Sequence, residues 1–288
     1  MAVDALHDPL ALLRLAPAGP GRFRAPNEGD PAVRDVVFGG QLLGQMIVAA
    51  SASAPGKSVR TIHTIFARAA RVSAPTELAV EPLHDGRSFA SLSVSALQGD
   101  RLCARALVLL DAPDPDLIRH AAPAPAVRDP DVAVDAGPSP LVFPGAELRI
   151  VGGVDTWSPD APVGPAELFA WLRFAGAPDD VATNQAILAW GTDGFLIGTA
   201  MRPHAGIGQA DAHQTLSTGV VGHTLTFHEP FRVRDWLLIA HESPHAGGGR
   251  SYGRAQVFTR DGRLVASFVQ DSMIRAAAPG AGGPRSAM

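Results

Sequence analysis

Residues 86–110 read GRSFASLSVSALQGDRLCARALVLL, and residues 249–273 repeat their pattern as GRSYGRAQVFTRDGRLVASFVQDSM. Both copies begin with Gly-Arg-Ser and an aromatic residue, continue as a long strand, and pass a turn with Gly and Asp before an apolar strand returns. Such a turn between two strand-like runs is typical of a β-hairpin. Because an internal repeat indicates architecture more firmly than a single motif, we predict two similar halves, each with a long hairpin.

An extended segment precedes each hairpin and enlarges the repeat. These segments are TIHTIFARA from Thr61 and VGHTLTFHEPF from Val221, so His63 and His223 are predicted to correspond. A position shared by both halves favours a hydrogen-bonding role over a catalytic one for both histidines. The other histidines of the second half lack the spacing of a metal-ligand motif, and we expect no metal and no cofactor.

An apolar helical pattern lies in each half before these strands. Residues 38–56 place Leu42, Met46 and Ala50 on one helical face, and residues 177–204 contain an apolar stretch that we expect to be buried. A long helix wrapped by a curved antiparallel β-sheet satisfies this order, because the helix and the inner face of the sheet then bury each other. The predicted fold class is α+β, with two tandem hot-dog domains.

Composition indicates where the two halves separate. We predict an N-terminal hot-dog domain at residues 1–115, a proline-rich linker at 116–145 and a C-terminal hot-dog domain at 146–275. The linker is rich in proline and acidic residues and has no sustained periodicity. Residues 276–288 have too few apolar side chains to bury themselves, and we expect a disordered tail.

Charge and hydropathy exclude two classes of partner. The 288-residue chain has a formal net charge of −4 and therefore lacks the broad basic field that nucleic acid or an anionic membrane would require. No apolar run approaches the roughly 20 residues that cross a bilayer, and the acidic start is unlike a signal peptide. We expect a cytoplasmic protein. A homo-oligomer is also expected, because hot-dog sheets commonly cover their edges by pairing across subunits.

Cys103 is the only cysteine of the chain. A single cysteine excludes an internal disulfide and a thiolate-rich metal site. Its apolar flanks, RLCARALVLL, indicate a strand. We therefore interpret Cys103 as a small buried hydrophobic residue and not as a nucleophile.

Four blocks of sequence carry a resemblance to a known family. They are VFGGQLLGQMIVAA at 37–50, HDGRSFASLSVSALQ at 84–98, AWGTDGFLIGTAMRPH at 189–204, and the long block at 223–275. With this order and spacing, the chain resembles the acyl-CoA thioesterase II family over most of its length outside the linker and termini. The resemblance implies hydrolysis of the thioester that joins an acyl group to coenzyme A, with acyl-CoA as substrate.

The same resemblance implies a catalytic Asp, a catalytic Gln and a catalytic Ser or Thr. The family's Asp block aligns with AWGTDGFLIGTAMRPH and implies Asp193, and its final strand aligns with LVASFVQD and implies Gln270. A carboxylate can act as general base toward water or can attack the thioester itself, and both mechanisms need Asp193. Asp193 also fits a helix cap or a turn between glycines. Gln270 can hold a water and Asp193 through its donors and acceptor, or can be a strand-end amide satisfied by backbone.

The third position departs from the family pattern. Family members usually carry a Ser or Thr two residues before an Asp-His pair, and Val220 and Gly222 stand at those places. Neither side chain donates a hydrogen bond. Because side chains two residues apart on a strand share a face, Thr218 is the candidate for the hydroxyl, with Ser217 on the opposite face as the weaker choice.

Two other functions fit parts of the pattern. An enoyl-CoA hydratase with a hot-dog fold would carry a histidine close to the catalytic Asp, but His204 follows Asp193 only after a long apolar run. A non-catalytic acyl-CoA-binding protein would explain the missing hydroxyl, and it would bind coenzyme A esters without releasing thiol. The paired Arg87 and Arg250 could meet coenzyme A phosphates, although arginines at hairpin starts more often pair with local acids.

Overall fold

The computed structural model of the chain describes residues 8–27, 35–132 and 145–277. The strands of the first half are β1 (Ala16–Gly19), β2 (Arg22–Ala25), β3 (Ser58–Phe66), β4 (Thr76–Asp85), β5 (Phe89–Gln98) and β6 (Arg101–Asp111). Its helices are α1 (Pro9–Leu12) and α2 (Gly39–Ser53).

The second half has the same kinds of element. Its strands are β7 (Ala146–Ile150), β8 (Glu167–Phe174), β9 (Leu216–Phe227), β10 (Leu237–Gly247), β11 (Arg250–Thr259) and β12 (Leu264–Ala276). Its helices are α3 (Val181–Thr192) and α4 (Leu196–Met201), and short 3₁₀ turns lie at Val151–Gly153 and Gln209–Asp211. None of the helices in the described ranges is long and apolar enough to cross a membrane.

The twelve strands of the described ranges form one antiparallel sheet in which the two halves meet edge to edge. The strand order is β1-β2-β4-β5-β6-β3-β9-β12-β11-β10-β8-β7, and the halves pair through β3 and β9. The helices α2 and α3 pack against each other and against the sheet, and their side chains form the main core. The predicted α+β class, with a helix and an antiparallel sheet in each half, is confirmed.

The two predicted hairpins are the β5–β6 and β11–β12 pairs. The order of elements differs from the sequence prediction in one respect: two strands precede the main helix in each half. β1 and β2 have four residues each, too few to show an alternating pattern. β8 has one buried face, but Phe169 and Trp171 make its other face apolar as well, so its sequence does not alternate clearly either.

The predicted correspondence of His63 and His223 is wrong. In the β3–β9 ladder His63 pairs with Thr224, and Thr64 pairs with His223. Cross-strand partners share a face and successive residues alternate, so the two histidines face opposite sides of the sheet. His63 is exposed and its Nδ1 lies 2.5 Å from Thr224 Oγ1, whereas His223 is buried. A shift of one residue exchanges the faces of a strand, and a sequence repeat does not define register that finely.

Glycines allow α2 to approach α3 closely. A methyl group at Gly40 would lie 2.5 Å from Trp190 O and 3.0 Å from Trp190 Cα. A methyl group at Gly44 would lie 2.9 Å from Ala186 O. These are backbone atoms, which cannot rotate away as the end of a flexible side chain can. Gly40 and Gly44 therefore set the distance between the two helices.

Gly40→Ala is expected to destabilise the fold even though alanine favours helix. Alanine gains roughly 1 kcal/mol of helix propensity over glycine. The clash with Trp190 pushes the helices apart, and over-packing of this kind costs about 1–3 kcal/mol. Urea unfolding should therefore show a lower midpoint. Gly176→Ala is the matched control, since the nearest atom to a methyl group there is 3.9 Å away. Equal stability of Gly40→Ala and the parent would contradict a tight helix contact.

The described part of the predicted linker, residues 116–132, contains no helix or strand and is fixed to the second half. Trp171 Nε1 donates to Arg128 O at 3.0 Å. Arg260 forms an ion pair with Asp129 at 2.6 Å. Because these contacts lie on the sheet of the second half, the segment crosses its surface as a bound strap.

β6 ends at Asp111 and β7 begins at Ala146, on either side of the predicted linker. β12 extends to Ala276, the first residue of the predicted disordered tail. Residues 133–144 of the linker and 278–288 of the tail lie outside the described residues. The domain limits remain predictions.

Cys103 is fully buried in β6. Burial raises the pKa of its thiol, because the charged thiolate is disfavoured away from water. The prediction of a small buried hydrophobic residue is confirmed.

Candidate active site

Asp193 stands at a break in the apolar helical segment of the second half. α3 ends at Thr192, Asp193 is its C-cap residue with φ −85° and ψ 0°, and α4 begins at Leu196. The Asp193 backbone N–H donates to Trp190 O at 3.5 Å, and its side chain is half-buried. The interpretation as a helix cap therefore holds. It does not exclude chemistry, because the break turns the carboxylate toward a cavity.

Gln270 contacts Asp193 directly. Gln270 lies in β12, is buried, and donates from Nε2 to Asp193 Oδ1 at 3.0 Å. The same Nε2 lies 2.9 Å from His223 Nδ1, so both amide hydrogens have an acceptor. Gln270 Oε1 is buried and accepts no hydrogen bond from another described residue. The structure thus brings together two residues that are 77 positions apart in the chain.

His223 fixes the orientation of the Gln270 amide. Thr192 Oγ1 donates to Ala189 O at 2.7 Å, so its oxygen accepts from His223 Nε2 at 3.1 Å. With the proton on Nε2, His223 Nδ1 is the acceptor that Gln270 requires. Hydrogen bonds therefore run from α3 through His223 to Gln270 and end on Asp193. The sequence predicts a hydrogen-bonding role for His223, and the structure identifies Gln270 and Thr192 as its partners.

Two buried imidazoles predict a loss of stability in acid. Burial lowers the pKa of His223 to about 3 and that of His241 to about 4, because it disfavours the charged ring. Below about pH 6.5 the unfolded chain binds protons that the folded chain does not. The free energy of unfolding should therefore fall as the pH is lowered from about 6.5 to 5, by about 1 kcal/mol per pH unit for each ring. Urea unfolding across this window measures the slope.

Substitution separates the histidines from other titrating groups in this measurement. His241→Phe should remove about half of the slope, because one of the two depressed groups is gone. His204→Phe is the matched control, since His204 is exposed. An unchanged slope in His241→Phe would contradict the prediction.

Asp193 lines a cavity of about 540 Å³ to which both halves contribute. Its wall includes Leu42 and Phe66 from the first half and Ile197 and Trp157 from the second. Asp193 is the only acidic residue among the described residues of this wall. The volume and the largely apolar wall suit a small-molecule ligand. Gln270 is not on the wall and lies behind Asp193.

The first residue of α2 faces the same carboxylate. A methyl group at Gly39 would lie 2.6 Å from Asp193 Oδ2, and Gly39 is on the cavity wall. Phe38 occupies the N-cap position and supplies no side-chain hydrogen bond. The first backbone N–H groups of a helix have no intrahelical acceptor, and this end carries partial positive charge. This end of the cavity can therefore stabilise an anion.

Thr218 and Val220 both line the cavity, and Ser217 does not. Thr218 is buried, and its side chain faces the same cavity as Asp193. Gly222 lies on the opposite face of β9, since it is adjacent to the inward-facing His223. The pairing of β9 with β12 skips a residue between Gly222 and Val220, which places a bulge at the cavity.

The remaining polar candidates from the sequence are not part of this site. Arg87 and Arg250 are absent from the described cavity wall. Neither forms an ion pair with another described residue, so the expected pairing with local acids is not found. In the part of the chain that the structure describes, no three His, Cys, Asp or Glu side chains converge as metal ligands would.

Proteins of known family match the chain in sequence and in structure. The models of the acyl-CoA thioesterase N-terminal and C-terminal domains match residues 28–110 and 120–274. Acyl-CoA thioesterase 2 from Haemophilus influenzae is 30% identical over 94% of this chain and 98% of its own length. The structure of the acyl-CoA thioesterase II TesB2 from Mycobacterium marinum has a TM-score of 0.79 at 27% identity, covering 94% of this chain and 100% of that one. A hot-dog protein from Alicyclobacillus acidocaldarius has a TM-score of 0.75 at 20% identity, covering 95% and 100%.

Proposed function

The chain belongs to the acyl-CoA thioesterase family and is an acyl-CoA hydrolase, and on this premise we propose that Asp193, Gln270 and Thr218 form its catalytic site. The observation that carries the proposal is the 3.0 Å hydrogen bond from Gln270 Nε2 to Asp193 Oδ1 beside a cavity that both halves line. A hydratase would require a histidine paired with the Asp. Here His223 bonds to Gln270 and Thr192, which favours hydrolysis.

Asp193 is the general base in this proposal. A water in the cavity attacks the thioester carbon while Asp193 takes one of its protons. The carbon–sulfur bond then breaks, and the proton passes to the sulfur of coenzyme A, giving the free acid and the thiol. Gln270 lies behind the cavity wall and holds Asp193 Oδ1 in position through the hydrogen bond from its Nε2.

The N-terminus of α2 stabilises the negative charge that develops on the thioester oxygen. Gly39 is on the cavity wall beside Asp193 Oδ2, so a substrate that reaches the carboxylate also reaches the first backbone N–H groups of α2. Backbone donors already in place need no reorganisation during the reaction, which is why such sites contribute strongly to catalysis.

Thr218 supplies the hydroxyl that the family pattern otherwise lacks in this chain. Thr218→Val keeps the shape of the side chain and removes the donor, so kcat should fall by about 10-fold, the value of one hydrogen bond. Steady-state thiol release measures the change. Ser217→Ala is the matched control, because Ser217 is not on the cavity wall. Normal kcat in Thr218→Val would remove Thr218 from the mechanism.

The function itself is tested by thiol release from short, medium and long acyl-CoA esters. The expected result is one thiol for each thioester hydrolysed, without added metal or cofactor. Because the depth of the apolar cavity limits the acyl group, the panel also identifies the preferred chain length. Tight binding of the esters with no thiol release from any of them would overturn the proposal and favour an acyl-CoA-binding protein.

We further infer a cytoplasmic homo-oligomer that acts in lipid metabolism. The acyl-CoA substrate supports the metabolic role. β1 and β7 end the sheet, and edge strands in proteins are usually covered by pairing or by another element. Ile65 and Leu107 are more than half exposed, which supports a subunit contact. Light scattering that gives the monomer mass of 29.9 kDa would overturn the oligomer.

A further inference from the structure

Two arginines from opposite halves of the chain stand on the wall of the Asp193 cavity. Arg68 follows the end of β3, and Arg275 is the penultimate residue of β12. Both side chains are exposed, whereas Asp193 is half-buried. The two arginines therefore occupy the rim, where the cavity opens to solvent, and Asp193 lies deeper.

Each arginine has a neighbour in the strands around it. The Arg68 backbone N–H donates to Cys103 O at 3.0 Å, and its Nη1 donates to Leu102 O at 3.2 Å. Arg275 lies against Gly249, since a methyl group there would be 3.1 Å from both Cγ and Nε of Arg275. None of these contacts is with a carboxylate, so none neutralises the charge of either arginine.

The rim therefore carries positive charge in a chain whose formal net charge is −4. Arg60, Arg173 and Arg260 each form an ion pair with a carboxylate at 2.6 to 2.8 Å. Arg68 and Arg275 form none with another described residue. An unneutralised guanidinium is a strong, often bidentate, donor to phosphate. Two of them at one opening fit a phosphorylated ligand.

We propose that Arg68 and Arg275 bind the phosphate groups of coenzyme A at the rim of the cavity. The inference rests on the proposed function, which places the thioester carbon beside Asp193. The acyl group then lies along the apolar wall, and the coenzyme A part extends from the thioester to the opening. Its phosphates are the only multiply charged groups of the substrate. The two arginines hold that end and do not touch the reacting atoms.

The test compares thioesters of one acyl group on three carriers: coenzyme A, 3′-dephospho-coenzyme A and pantetheine, which has no phosphate. For the double variant Arg68→Gln/Arg275→Gln, we expect the KM for acyl-CoA to rise by about 10-fold or more, the value of one or two charge-assisted hydrogen bonds. The kcat should stay within about twofold, because the phosphates are bound equally strongly in the ground state and in the transition state. The KM for acyl-pantetheine should not change.

The single variants and the second carrier identify which phosphate each arginine binds. A variant that loses affinity for acyl-CoA, but not for the dephospho ester, identifies the arginine that binds the 3′-phosphate. A variant that loses affinity for both acyl-CoA and the dephospho ester identifies the arginine that binds the diphosphate. Arg87→Gln is the matched control, since Arg87 is exposed, outside the described cavity wall and without an ion pair to another described residue.

Two outcomes would overturn the inference. An unchanged KM for acyl-CoA in the double variant would place the phosphates elsewhere, and an equal rise for acyl-pantetheine would show that the arginines act on structure. Failure of the proposed function is distinguishable, because the parent protein would then release no thiol from any carrier. In that case calorimetric binding of coenzyme A to the parent and the double variant decides the inference alone: weaker binding by the double variant supports it, and equal binding overturns it.

Discussion

Replacing Asp193 with asparagine is expected to lower kcat for acyl-CoA hydrolysis by at least about 100-fold, the smaller end of the loss typical for a missing general base. Asparagine keeps the shape of the side chain and can still accept the Gln270 hydrogen bond through its oxygen. It cannot take a proton from water. The KM should change little, because the lost interaction acts in the transition state.

Asp235→Asn is the matched control for this substitution. Asp235 is exposed and lies outside the described cavity wall, so its variant should retain the parent kcat. Both variants should keep the unfolding midpoint of the parent within error, which shows that the loss concerns chemistry. An Asp193→Asn protein with more than about a tenth of the parent kcat would contradict a general-base role.

Gln270→Met is expected to lower kcat by about 100-fold, although Gln270 does not line the cavity. Methionine fills similar space but removes the donor to Asp193 Oδ1 and leaves the buried His223 Nδ1 without a partner. An unsatisfied buried polar group such as His223 Nδ1 costs about 1–3 kcal/mol of stability. The Asp193 carboxylate also loses the hydrogen bond that orients it for catalysis. The acid limb of the pH–rate profile should also move to higher pH, since the lost donor favoured the charged carboxylate.

This pH response separates positioning of Asp193 from a general loss of structure. A variant that is only less stable loses kcat at all pH values and keeps the shape of the profile. Gln256→Met is the matched control, because Gln256 lies on the neighbouring strand β11 and outside the described wall of the cavity. An unchanged profile in Gln270→Met, with a changed unfolding midpoint, would reduce Gln270 to a structural amide.

The resemblance found Asp193 and Gln270 because both lie in blocks whose order and spacing are distinctive. It could not show that their side chains are in contact. That contact depends on the break between α3 and α4, which directs Asp193 toward β12, and on the pairing of β12 with β9. The sequence of this segment reads as one apolar stretch, because a break of a few residues has no clear periodic signal.

Other parts of the site depend on register and had no sequence signal. His223 was assigned a counterpart in His63, but the β3–β9 ladder places the two on opposite faces. Arg68 lies in the segment before the first hairpin and Arg275 ends the last family block, but no pattern in either segment marks these arginines as functional. They line one cavity because both halves contribute to its wall. The arginines that the repeat did suggest, Arg87 and Arg250, lie outside the described wall.

Patterns in the amino-acid sequence indicate the internal repeat, the α+β class, the family and the identity of two candidate catalytic residues. Hairpin turns, helical periodicity and motif spacing each involve residues that are close together in the sequence, so they can be recognised without knowledge of tertiary contacts. The folded structure is needed to see which face of the sheet each histidine occupies, which residues contact Gln270, and which arginines lie at the cavity opening. Such contacts join residues far apart in the chain, and a shift of one residue in strand pairing moves a side chain to the other side of the sheet.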